Sequence, residues 1–170
     1  MNVLGTLAYS AMAACSAAAA VAVACPATSS AVDLQCRSTD GVNVTRIVGQ
    51  VACGADSDPS GVANSYAFDG IGYAKAVNGA RAFGVGVDGG IGASEGGVGI
   101  PAALGVGPKS VAITSVGGGS LSQSVALGGS QALAADVPEG VVCQGTSAFA
   151  VNVATGRACI STGIGAWRTG

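Results

Sequence analysis

Between residues 65 and 127 a four-residue pattern in which small and bulky residues alternate recurs: Ser65-Tyr66-Ala67-Phe68, Ala80-Arg81-Ala82-Phe83, Gly97-Val98-Gly99-Ile100, Ser110-Val111-Ala112-Ile113 and Ser124-Val125-Ala126-Leu127. A period of two is the period of a β-strand, whose side chains point alternately to opposite faces. The stretches between tetrads, such as "VDGGIGASEGG" and "SVGGGSLS", are rich in glycine. A helix would lose about 1 kcal/mol at each of those glycines. Short strands returning every 13 to 17 residues with glycine corners predict an all-β chain, a β-solenoid-like stack of about five coils. In this reading Phe68, Phe83, Ile100, Ile113 and Leu127 form an apolar ladder inside the coil. Ala67, Ala82, Gly99, Ala112 and Ala126 admit a close neighbour.

Four cysteines frame this region. "CRSTDGVNVTRIVGQVAC" (36–53) and "CQGTSAFAVNVATGRAC" (143–159) share a Thr three places after the first Cys, a Val-Asn-Val, and a closing Gly before the second Cys. They read as one disulfide module used at each end. Four cysteines allow three pairings. Cys36–Cys53 with Cys143–Cys159 is favoured, each closing a short loop worth about 3 kcal/mol in the chain-entropy model. Cys36–Cys159 with Cys53–Cys143 would require the ends of an elongated middle to meet. A four-Cys zinc site lacks its short Cys-x-x-Cys spacings.

Disulfides imply an oxidising compartment, and the N-terminus agrees. No charged residue precedes Asp33, residues 3–24 are Ala-rich and apolar, and Ser29-Ser30-Ala31 suits a signal peptidase. Residues 1–31 are therefore expected to be a signal peptide, although it has no basic residue ahead of its apolar run. The alternatives are a membrane anchor and a lipoprotein leader acylated at Cys25. The remaining expected divisions are an N-terminal disulfide module (32–64), the Gly/Ala-rich solenoid (65–135) and a C-terminal capping module (136–170). The mature form is expected to have no membrane span.

"SVAITSVGGGSLSQSVALGGSQALA" (110–134) resembles the head repeats of trimeric autotransporter adhesins, which have about 14 residues per coil and a Ser-x-Ala-Ile/Leu-Gly core. That resemblance implies a coiled β geometry and a homotrimer. It stops there, because the chain shows no neck, stalk or anchor segment of that family and its cysteines are foreign to it. Taken whole, the leader and the end segment "SAFAVNVATGRACIST" resemble small secreted proteins of mycobacteria and related actinobacteria, whose function is unassigned.

The chemistry is restricted by what the sequence lacks. There is no His in the chain, which removes the commonest general base and metal ligand. Seven Lys and Arg are too few and scattered for a nucleic-acid patch. Asp56-Ser57-Asp58-Pro59-Ser60-Gly61 matches the first half of a calcium loop, but Ala67 stands where the bidentate Glu belongs; a surface turn is the plainer reading. Asp69, Asp88 and Glu95 would have to converge to hydrolyse a glycoside. Gly84-Val85-Gly86-Val87-Asp88-Gly89 fits Gly-x-Gly-x-x-Gly by chance in so glycine-rich a chain. Trp167 is read as a cap on the open end of the coil, with sugar or peptide binding as the sharper alternative. No catalytic, cofactor-binding or metal-binding residue is assigned.

The expected function is an exported, non-catalytic structural or adhesive protein of the cell surface or extracellular space. A secreted monomeric binder of wall glycan or lipid comes second, and a secreted hydrolase third. From Phe83 to Ala135 only Asp88, Glu95 and Lys109 are charged. Such a surface is either covered, by copies of the chain or by a cell-envelope component, or hydrated through its Gly and Ser backbone.

Overall fold

In the computed structural model, residues 31–136 and 138–169 are described and form fifteen β-strands, numbered here in chain order, and no helix. One sheet has eight strands in the order β1 (Asp33–Thr39), β4 (Val62–Phe68), β6 (Arg81–Val87), β8 (Gly99–Val106), β10 (Ser120–Leu127), β13 (Ser147–Asn152), β14 (Arg157–Thr162) and β15 (Gly165–Arg168). The other has seven, in the order β12 (Val141–Gln144), β11 (Gln131–Ala135), β9 (Val111–Val116), β7 (Ile91–Gly96), β5 (Ile71–Ala76), β3 (Val51–Ser57) and β2 (Val44–Val48). From β3 to β11 the chain alternates between the sheets, and each strand pairs in parallel with the one a full turn away. This is a β-solenoid of about four turns. Residues 1–30, which hold most of the expected signal peptide and Cys25, lie outside the described residues.

The coil is longer than the tetrad spacing suggests. Val62 pairs with Arg81, Ile71 with Ile91 and Gly99 with Ser120, so one turn takes 19 to 21 residues rather than about 14. The tetrads are not equivalent positions. Ile113 lies on the seven-stranded sheet, while Phe68, Phe83, Ile100 and Leu127 lie on the eight-stranded one.

The expected inside and outside are exchanged. Phe68, Phe83, Ile100, Ile113 and Leu127 are 36% to 46% exposed and point outward. Ala67, Ala82, Ala112 and Ala126 are completely buried. The reason is the space between the sheets. Stacked sheets usually sit about 10 Å apart. Here the Cα atoms of Cys36 on β1 and Cys53 on β3, which face each other across the core, are 5.7 Å apart. At the other end Cys143 on β12 and Cys159 on β14 are 5.9 Å apart. The largest fully buried side chain among the described residues is Val141.

At particular positions in the middle turns even a methyl group is too large. A Cβ added at Gly84 would overlap the Tyr73 carbonyl on the opposite sheet, and one at Gly92 the Val85 carbonyl. Gly84 and Gly86, which resemble half of a phosphate-binding motif, therefore serve this close approach. Elsewhere Ser and Thr fill the core. The Ser38 and Ser57 hydroxyls lie 2.8 Å apart, and the Thr114 hydroxyl donates to the Ala102 carbonyl at 2.7 Å. The Ser65, Ser94 and Ser122 hydroxyls are buried and unpartnered.

The ends are closed by a change of strand direction. β1, β2, β12, β13, β14 and β15 all pair antiparallel, ending the winding. The disulfides have the favoured pairing, Cys36–Cys53 and Cys143–Cys159, and each ties one sheet to the other. β4 runs through positions 64 and 65, so the N-terminal segment adds its strands to the same sheets.

Two stability predictions follow from the narrow core. Gly84→Ala forces the sheets apart and should cost about 3 kcal/mol, at the upper end of overpacking penalties. Gly118→Ala, with no atom near its added Cβ, should stay within about 0.5 kcal/mol of the parent. Urea midpoints of the two variants check this. Ser94→Ala removes an unpartnered buried hydroxyl without changing shape, so its urea midpoint should equal or exceed the parent's.

Candidate functional site: the outer face of the eight-stranded sheet

Because the core admits only small residues, the bulky half of each strand faces outward, and strand register lines these residues into rows. The central row runs Tyr66, Val85, Leu104, Val125, Phe149, Ile160, Trp167 across seven strands. A flanking row runs Phe68, Val87, Val106, Leu127, Ser147, Thr162. On the other side lie Phe83, Ala102, Gln123, Val151 and Ala158. Parallel in-register pairing places like residues side by side, so Val85, Leu104 and Val125 half-bury one another although the face is open.

Charge on this face is sparse. Asp33 and Arg37 on β1 and Arg81 on β6 share one end, from β8 to β14 its outward strand residues are uncharged, and Arg168 lines its far edge on β15. The opposite sheet differs. Its outer face carries Ile71, Tyr73, Ile113 and Leu133, but beside them runs the polar row Asp56, Lys75, Glu95, Ser115. The Lys75 ammonium lies 3.5 Å from Glu95. That carboxylate raises the Lys75 pKa, while burial, with Asp56 nearby, raises that of Tyr73.

Trp167 belongs to the open face and does not cap the core. It pairs with Ile160 on the outward side and is 55% exposed. Its neighbour Arg168 lies opposite Cys159 and is exposed, as all of β15 is, and the Arg157 and Arg168 guanidinium groups come close to Gly140 at the end of the stack. Trp167, Phe149, Ile160, Ala158, Cys159, Arg168 and Thr169 line a shallow groove of about 390 Å³. A smaller hollow of about 140 Å³ opens where the flanking row narrows to Ser147 and Thr162, beside Val125, Leu127, Phe149 and Ile160.

The acids singled out in the sequence are dispersed or structural. Asp69 and Asp88 sit at successive corners with positive φ, whereas Glu95 is on a strand beside Lys75. Asp58 accepts from the Ser60 and Gly61 amides, the Ser60 hydroxyl and, at 2.7 Å, the Asn78 amide of the next corner. The Asn78 bond leads in holding its carboxyl below the usual range, against a smaller effect of burial. A carboxylate so occupied locks a turn, in place of the calcium loop. Among the described residues no cluster of three or more acids, Cys or His fits a metal ion.

Asp136 works in the same way at the other end. It accepts from the Gly117 and Gly118 amides and from the Asn152 side-chain amide. Burial pushes its pKa up, but these bonds outweigh it and hold the carboxyl low. A depressed carboxyl contributes stability above the unfolded-state pKa and loses it as pH falls through the folded value. Asp136→Asn should therefore be less stable than the parent at neutral pH, with the gap closing as pH drops from about 5 to about 2. Urea titrations at several pH values measure that gap.

Residues 1–162 match a family described as one of unknown function (DUF6764). No curated protein and no solved structure matches the chain.

Proposed function

Starting from a chain that belongs to the DUF6764 family of unknown function, we propose a non-catalytic structural or adhesive protein of the cell surface or extracellular space. The observation that carries this reading is the outward display of large apolar side chains in aligned rows on a sheet whose other side is clamped to a second sheet. Such a face offers contact area and few groups able to move a proton. Two disulfides fit an oxidising compartment, and no helix among the described residues is long and apolar enough to cross a membrane. A signal peptide at residues 1–31 would supply the export, and the resemblance to small secreted actinobacterial proteins points the same way.

The groove at Phe149, Ile160, Trp167 and Arg168 favours a second reading, a secreted monomer that binds a wall glycan or a lipid. An aromatic ring half in solvent beside an apolar strand suits the face of a sugar. Trp167→Ala would abolish glycan retention in that case.

Fractionation of the producing cells distinguishes these readings. The structural reading expects the protein in the envelope or medium, with both disulfides formed and no free thiol at Cys36, Cys53, Cys143 or Cys159. Envelope-bound material should be released by detergent or chaotrope rather than by salt. Recovery from the cytoplasm with reduced cysteines would overturn it.

A further inference from the structure

We propose that the outer face of the eight-stranded sheet is the contact surface for a second copy of this chain, joined face to face by a two-fold axis. This deepens the structural reading by naming the partner. Size is the first argument. Seven strands, β4 to β15, of four to eight residues each, at about 4.8 Å spacing and about 3.3 Å per residue, give roughly 700 Å² for the whole face. A standard stable interface takes about 800 Å² from each partner. The face therefore matches what a dimer needs.

Charge argues for a copy of itself rather than another occupant. A two-fold interface sets each residue's patch against the same patch, so like charges on it would oppose one another. From β8 to β14 this face carries none, and Arg168 stands at its far edge on β15. An acidic lipid surface needs a cluster of cations, but the face offers only Arg37 and Arg81, at the end that also holds Asp33, and Arg168 at the opposite edge. Relief is the third argument. The central row from Tyr66 to Trp167 aligns apolar and aromatic side chains across the sheet. Beside it the hollow of about 140 Å³ at Ser147 and Thr162 gives an apolar side chain of a second copy a place to seat. The opposite sheet, with its Asp56, Lys75, Glu95, Ser115 row, lacks this uniformity.

The test is the mass in solution of the protein as the cell delivers it, with its N-terminus read by mass spectrometry. Sedimentation equilibrium should give twice the chain mass. Leu104→Lys with Val125→Lys, both at the centre of the row, should weaken association roughly 100-fold, because buried core positions carry most interface energy. Ile113→Lys, on the other sheet, should leave the dimer intact. If the double variant loses its β-sheet circular dichroism, Phe149→Lys, at a residue already 38% exposed, carries the same expectation. A monomer at 100-micromolar order, a trimer as in the adhesin heads, or a dimer broken only by Ile113→Lys would each overturn the proposal. So would a monomer that binds neutral phosphatidylcholine vesicles through this face. A monomer recovered from the envelope with its disulfides formed defeats the dimer alone, whereas a reduced cytoplasmic dimer defeats the functional reading alone.

Discussion

The separation of the two sheets governs the rest of this molecule. Backbones so close that a Cβ built at Gly84 would overlap the Tyr73 carbonyl of the opposite sheet leave no room for a core of the usual kind. No Leu, Ile or Phe is fully buried among the described residues, and at Gly84, Gly86, Gly92 and Gly105 even Ala cannot enter. Hydrophobic burial of such small groups contributes little per residue. Cohesion comes instead from the continuous backbone ladders of two sheets, from backbone-to-backbone packing, and from the cross-sheet disulfides. Each disulfide closes a loop of about 16 or 17 residues, worth about 3 kcal/mol in the entropic account.

Strand type, glycine-rich corners and solenoid winding were legible in the sequence, because each follows from local chemistry; the disulfide pairing was one favoured among three, and it is the one found. The two-residue alternation in Ser124-Val125-Ala126-Leu127 can only be extended chain, and Cys36 and Cys53 sit close enough to pair locally. The phase of the alternation was not legible. The rule that bulky apolar residues go inside presumes a core wide enough to hold them, and the gap between the sheets is a property of the pair, absent from any single strand. The turn length failed for a related reason. Ile113 and Leu127 look equivalent along the chain, yet they belong to opposite sheets. The true repeat appears when Asp69, Asp88 and Lys109 are compared, the non-glycine corners with positive φ at one side of the stack.

The same correction relocates the candidate site. An apolar ladder read as interior becomes surface, so Phe68, Phe83, Ile100 and Leu127 are displayed on the face that Leu104 and Val125 share. Trp167 changes role in step, from end cap to member of the outward row, while Arg157 and Arg168 come together beside Gly140. Asp58, considered for calcium, proves to be a corner fastener, and so does Asp136, which the sequence did not mark out. Asp58 joins its own turn to the one at Asn78, and Asp136 joins the corner at Gly117 to Asn152 in the end module. Few charges are present, and these two are spent on backbone amides.

A solenoid of this kind has two places where it can grow or stick, its strand edges and its faces. The edges are managed. β1 and β2 at one end and β12 and β15 at the other run antiparallel to the strands they cover, and the disulfides hold those segments down. A further chain arriving end to end would meet a reversed strand and a fastened loop rather than an open parallel template. The eight-stranded sheet's outer face has no comparable protection. No loop of the described residues is placed over the row from Tyr66 to Trp167, whose Phe149, Ile160 and Trp167 remain exposed, and its charges are few, at the β1 end and at Arg168 on the far edge. With the edges closed and this apolar face open, the proposed association runs sideways, across the sheet, rather than along the axis of winding.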